Sequence, residues 1–293
     1  ENKKEGGISQ VAEALERQNI GTAKWLPATM GPVPPDCNAL IIAGARRELS
    51  SDVKGKMLAY QRAGGSVLLL LESSLRLPTG ETRAGKEDWN PRFNDMLADW
   101  GVQVGDDVVV DMANHVGQDV GCPATTTYPP HDKIVNDLGV TFYIRPRSLT
   151  FTKRSSGIVR FASLVKTMGA ETSWGETDPT LFVRYDAGTD VPGPVDIAAV
   201  LVREPDRDQS APTAYKQAAK MVVIGNSGFA TNEFAGRYSN LDFVVNCAAW
   251  LADREPMLDS KEVRAVAPKL EITAKDLRRA TVIMGLTPFM IMS

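Results

Sequence analysis

Residues 38–72 read NALIIAGARRELSSDVKGKMLAYQRAGGSVLLLLE. Two runs of strand length, ALIIA and SVLLLL, contain no charge. Such continuous apolar runs suit strands of a parallel sheet that is covered on both faces. Between them the pattern changes period. Val53, Met57 and Tyr60 fall on one face of a helix, Ser50 or Ser51 can cap its first turn, and Gly64-Gly65 can end it. Strand, helix, strand is a β-α-β unit, and its crossover is expected to be right-handed.

The flanking sequence extends this reading. SQVAEALERQN (9–19) has apolar residues at helical spacing, and AKWL (23–26) has strand length. PRFNDMLADWG (91–101) reads as a helix with proline in its first turn and glycine after its end. VQVGDDVVVD (102–111) reads as two short strands about Gly105. Further on, VDIAAVLVRE (195–204) and AKMVVI (219–224) repeat the apolar-strand pattern, and NLDFVVNCAAWLAD (240–253) is helical. Residues 112–194 differ, being rich in Gly, Pro, Thr and Asp. A stretch this long is not an ordinary loop in a compact domain.

The expected fold is therefore a three-layer α/β sandwich with a mostly parallel sheet. Its core is drawn from 1–111 and 195–255, with an irregular, β-rich insertion at 112–194. A connector and a membrane-proximal terminal segment are expected over 256–293.

Composition excludes several classes. The chain has 293 residues, 33 basic and 36 acidic, for a formal net charge of -3. That balance offers no electrostatic footprint for nucleic acid. Cys37, Cys122 and Cys247 are far apart and form no C-x-x-C pair, so neither a zinc ribbon nor a redox motif is present. The chain starts at Glu1 with polar residues, shows no signal peptide, and reads as a piece of a longer protein. ATVIMGLTPFMIMS (280–293) becomes steadily more apolar. It is shorter than the roughly 20 residues that span a bilayer. It reads either as a last amphipathic helix or as the start of a membrane anchor.

Motifs for chemistry are partial. After Ala43 comes a single glycine, Gly44, then Ala45, Arg46 and Arg47. A dinucleotide or phosphate loop needs further glycines to let the backbone reach a pyrophosphate. What remains is a strand-to-helix turn with two arginines. GNSG (225–228) matches the first three positions of the G-x-S-x-G nucleophile elbow, but Gly228 falls one place early. The same residues suit a turn in which Asn226 and Ser227 bond local backbone. A hydrolase using Ser227 would also need His115 or His131, both in the irregular segment. Asp111 with His115, and His131 with Asp132, make pairs only, where a metal site needs three or four ligands. Trp174 in TSWGET (172–177), beside Glu176, suits either sugar stacking or packing of the insertion. No cofactor and no metal are implied.

Several blocks resemble a known family. DCNALIIAGARRELSSDVKGKMLAYQRAGGSVLLLLE, MLADWGVQVGDDVVVD, TSWGET, MVVIGNSGFATNEF, SNLDFVVNCAAWLAD and LTPFMIM occur in order. Together they resemble the gliding-motility-associated (GldG-type) auxiliary family of ABC transporters. The resemblance implies an extracytoplasmic, periplasmic domain of an inner-membrane protein that works with the membrane and ATPase subunits of an ABC transporter. It implies a scaffold related to flavodoxin-like, class I glutamine amidotransferase-like sandwiches. The resemblance also implies a non-catalytic module for binding saccharide or partner proteins, with anchoring after residue 280. The alternative is a serine hydrolase-like enzyme using Ser227.

In open α/β sheets, ligands bind outside the carboxyl ends of the strands. Gly44, Arg46, Glu72, Ser73, Asn226 and Ser227 follow such strands and are the candidate ligand-binding residues. Arg46 is expected to meet an anion or sugar hydroxyls, with Glu72 and Asn226 accepting hydrogen bonds.

Overall fold

The computed structural model describes residues 3–72, 91–131, 133–152, 159–178 and 183–253. Ser73, Asp132 and the apolar run at 280–293 lie outside the described residues.

In chain order the first elements are α1 (Ser9–Arg17), β1 (Ala39–Ala43), α2 (Ser51–Arg62), β2 (Ser66–Leu70) and α3 (Asn94–Leu97), which continues as a 3-10 turn (Ala98–Trp100). Then come β3 (Val102–Val104), β4 (Val108–Asp111), β5 (Ala124–Thr125), β6 (Thr141–Phe142), β7 (Leu149–Phe151) and β8 (Val159–Lys166). The last are β9 (Ser173–Glu176), β10 (Val191–Pro192), β11 (Asp196–Arg203), β12 (Ala219–Ile224) and α4 (Asn240–Leu251). Residues 23–26, read as a short strand, form none; Trp25 instead packs against the core under α2.

The opening stretch folds as its pattern requires. β1 and β2 are parallel, from Ala39 opposite Ser66 to Ala43 opposite Leu70. Of the two candidate caps the structure uses Ser50, whose Oγ accepts from the Val53 amide at 3.4 Å. Met57 is buried on the face that α2 turns to the sheet, with Val53 and Tyr60 beside it. A side chain at Gly65 would overlap the Tyr60 ring, so the helix stop also leaves room for that aromatic.

The main sheet has the order β1-β2-β12-β11-β7-β3, and β8 also pairs with β11. It is a mixed sheet. β1, β2 and β12 form its parallel part. β11 turns antiparallel to β12, and β7, β8 and β3 continue antiparallel. The reason lies in the connections. A parallel return needs a crossover, usually a helix. β11 is joined to β12 by 204–218, which holds no helix.

Alternate residues of the central strands enter two cores. Leu68, Leu70, Ala198, Val200, Val222 and Ile224 meet α1 and α4 on one face. Val67, Leu69, Ala199, Leu201, Met221 and Val223 meet α2 and α3 on the other. Helices on both faces make three layers and explain why these strands carry no polar stripe.

Residues 112–194 are not set apart from the core as an insertion. β7 and β8 belong to the main sheet, and Glu1–Pro256 forms one compact unit. Only part of the segment stands aside: β10 and β9 pair with β4, and β5 pairs with β6. β7 and β8 satisfy their backbones on the free side of β11, and β7 also on β3. The mixed polar composition of these two strands reflects their half-exposed position.

Candidate functional site

The carboxyl ends of the parallel strands are brought level by a continued ladder. The Gly44 amide donates to the Leu70 carbonyl at 2.9 Å, and the Leu71 amide to the Ile224 carbonyl at 2.9 Å. This sets Gly44, Glu72 and Ser227 side by side. Gly44 has φ +60, in the left-handed region that favours glycine, and a Cβ there would sit 3.0 Å from Ser227 Oγ and 3.1 Å from Glu72 Oε2. The two oxygens therefore flank one point above the glycine.

Arg46 closes the rim. Its Nε donates to Glu72 Oε2 at 3.1 Å, and its side chain is 66% exposed against 15% for Glu72. Such an exposed pair contributes about 0–1 kcal/mol, so a ligand can displace it at little cost. The Ser227 hydroxyl faces the same point, 3.0 Å from where a Gly44 Cβ would stand. The crevice thus offers a carboxylate acceptor, a hydroxyl of either sense and a guanidinium donor.

Asn226 has a different role from the one expected. It is fully buried. Its Oδ1 accepts from the Ile144 amide at 3.2 Å and the Phe229 amide at 3.0 Å, and its Nδ2 donates to the Ile144 carbonyl at 2.7 Å. It ties the end of β12 to the segment after β6 rather than facing a ligand.

Sequence reasoning missed Arg147, whose side chain is 1% exposed. Its Nε donates to the Glu72 carbonyl at 3.3 Å and its Nη1 to the Gly105 carbonyl at 2.8 Å. Its backbone amide donates to the Gly225 carbonyl at 2.8 Å. One residue thereby fixes the ends of β2 and β12 together. Next to it, Asp107 is buried and binds Ser148 through the amide at 2.9 Å and the hydroxyl at 2.5 Å. Burial pushes the Asp107 carboxyl above the usual carboxylate range, with the Ser148 hydrogen bonds pulling the other way.

The parts of a serine hydrolase are not assembled among the described residues. Ser227 has φ -107 and ψ -21. That is ordinary backbone, not the strained turn that presents a nucleophile. His131 stands edge-on to Trp250 with ring centroids 5.4 Å apart, and Lys220 lies 4.9 Å over the same Trp250 ring. Lys220 is near the start of β12, whereas Ser227 follows its end. A six-residue strand separates those ends by about 20 Å. His115 is occupied with the Asp111 carbonyl, 2.9 Å from its Nδ1. The Asp111 carboxylate caps the amides of Ala113 and Asn114. No group of three or more potential ligands for a metal ion occurs among the described residues.

The remaining candidates are structural. Trp174 donates from Nε1 to Glu176 Oε2 at 3.1 Å, and both residues are buried. Glu176 also takes the amides of Asp178 and Arg184. The three cysteines are free. Burial pushes the Cys122 thiol up to about 11 and the Cys247 thiol higher still. At the opposite, amino end of the strands lies a cleft of about 520 Å³, lined by Pro32, Pro34, Tyr60, Ser66 and Asp253 among others.

Fold and site together define an α/β sandwich with a polar crevice at the carboxyl end of its parallel strands. The chain belongs to the family described as "ABC-type uncharacterized transport system", whose model matches residues 8–247. It is an auxiliary component of an ABC transport system. Among solved structures it is similar to the "mmIFT52 N-terminal domain", with a TM-score of 0.53, 16% identity, and 84% of this chain and 90% of that one covered. At that identity the likeness concerns the fold alone. No curated protein matches the chain. No helix among the described residues is long and apolar enough to cross a membrane.

Proposed function

We propose that this domain is a non-catalytic binding module of a gliding-motility-associated type of transport auxiliary, on a flavodoxin-like, glutamine amidotransferase-like scaffold. It works outside the cytoplasmic membrane, held there through the apolar run at 280–293, beside the membrane and ATPase subunits of its transporter. Its ligand is hydroxyl-rich, a saccharide, and sits over Gly44.

The observation that supports this reading is the pair of oxygens flanking Gly44 with Arg46 at the rim. Adjacent sugar hydroxyls donate to a carboxylate and accept from a guanidinium and a serine. Among the described residues no imidazole is placed beside Ser227, and Arg46 is largely exposed.

The test is calorimetric titration of the chain with a panel of neutral and acidic oligosaccharides. Arg46→Ala is expected to weaken the sugars that bind by about tenfold, near 1.4 kcal/mol, with an unchanged melting temperature. Equal affinity of the variant for every sugar bound refutes this placement. A panel in which none binds refutes the saccharide reading.

A further inference from the structure

A second polar cluster lies away from the crevice. Tyr215 is in the connection between β11 and β12, Arg203 ends β11, Trp100 ends the 3-10 turn and Arg62 ends α2. Trp100, Tyr215 and Arg203 are 0%, 2% and 8% exposed.

These groups surround one phenol. The Trp100 ring stands edge-on to Tyr215, with centroids 6.1 Å apart. The Arg203 guanidinium lies 4.1 Å over the Tyr215 ring. Arg62 is tied in through its carbonyl, which accepts from the Lys216 amide at 2.9 Å. Burial pushes the Tyr215 hydroxyl up; the Arg203 and Arg62 guanidinium groups and the Trp100 indole act against this, and Asp99 acts with it.

Four polar atoms here are buried and have no hydrogen-bond partner among the described residues: Tyr215 Oη, Trp100 Nε1, Arg203 Nε and Arg62 Nε. Three of them can only donate. Three nearby acceptors are already engaged. Asp206 Oδ1 takes Arg203 Nη2 at 3.1 Å and Asp206 Oδ2 takes the Tyr215 amide at 2.9 Å. The Asp99 carbonyl takes Arg203 Nη1 at 2.9 Å. Buried donors are normally satisfied, and a group of them in one place calls for a shared acceptor.

We infer that Trp100, Tyr215, Arg203 and Arg62 form a site for a small inorganic anion of halide size. A spherical anion accepts from several donors at once and has no proton of its own to place. The Asp206 carboxylate, paired with Arg203, and the Asp99 carboxylate stand beside the two guanidinium groups, so the anion is held by their N–H donors rather than by a surplus of positive charge. The anion locks the β11–β12 connection to α2 and to the 3-10 turn. This site is independent of the crevice at Gly44.

Crystals of the full chain soaked in bromide test it directly. An anomalous peak is expected within about 3.5 Å of Trp100 Nε1 and Arg203 Nε. In solution, the wild-type melting temperature is expected to rise with the logarithm of chloride concentration, measured against gluconate at equal ionic strength. Tyr215→Phe keeps the ring and is expected to lose more than half of that slope. A water at this position with no bromide overturns the inference, and so does an undiminished chloride response in Tyr215→Phe. Should Tyr215→Phe not fold, the wild-type bromide map decides alone.

Discussion

Asn226→Ala is expected to lower the unfolding free energy by about 3–5 kcal/mol, read from urea denaturation. The Asn226 side chain makes three hydrogen bonds, two to Ile144 and one to the Phe229 amide. Removing it takes a side-chain partner from the Ile144 amide and carbonyl and from the Phe229 amide, at a side chain that is itself fully buried. Unmet buried groups cost more than the bonds themselves contribute. Asn226→Asp provides the contrast. It keeps the acceptor for both amides but turns a carboxylate oxygen toward the Ile144 carbonyl, so it is expected to be no better tolerated. A loss below about 1 kcal/mol for Asn226→Ala would show that the residue is not the tether described.

Gly225→Ala carries the second large effect, about 3 kcal/mol or more. Gly225 does not have a positive φ, so conformational freedom is not the reason. Space is. A Cβ there would collide with the Arg147 backbone carbonyl. Neither side can retreat freely, because the Arg147 amide donates to the Gly225 carbonyl and the Gly225 amide donates to the Ile197 carbonyl, each at 2.8 Å. The expected result is a large drop in melting temperature, with Glu72 released from its place against Ser227. A shift smaller than about 2 °C would contradict so tight a junction.

These two residues show how far the sequence could be read. The 219–228 stretch announces a strand followed by a polar turn, and that is what forms. The turn reading of Asn226 was half legible: its bond to Phe229 is local, whereas Ile144 lies 82 residues away. No local pattern encodes that partner. The same division holds across the fold. ALIIA, SVLLLL, DIAAVLVR and AKMVVI are legible because strands covered on both faces need no polar stripe. Their direction is not, since an apolar run reads alike in either sense; β11 therefore turned out antiparallel. β7 and β8 were hidden among Gly, Pro and Thr because half-exposed strands near a sheet edge lose the apolar signature. In the site, Gly44, Arg46 and Glu72 could be named because they follow recognisable strands. Arg147 could not, because IRPRS has no periodicity, and its role depends on three carbonyls from distant segments.

The role proposed for this auxiliary transport component is to bind a ligand at the carboxyl end of its sheet without catalysis. Amide and methyl chemical-shift mapping during titration with the oligosaccharide panel tests it most directly. The account predicts shifts centred on Gly44–Arg46, Glu72 and Ser227–Gly228, with the sugar recovered unchanged. Shifts centred instead on Asn38, Tyr60 and Gly65, around the cleft at the other end of the strands, would contradict it, as would cleavage of the sugar.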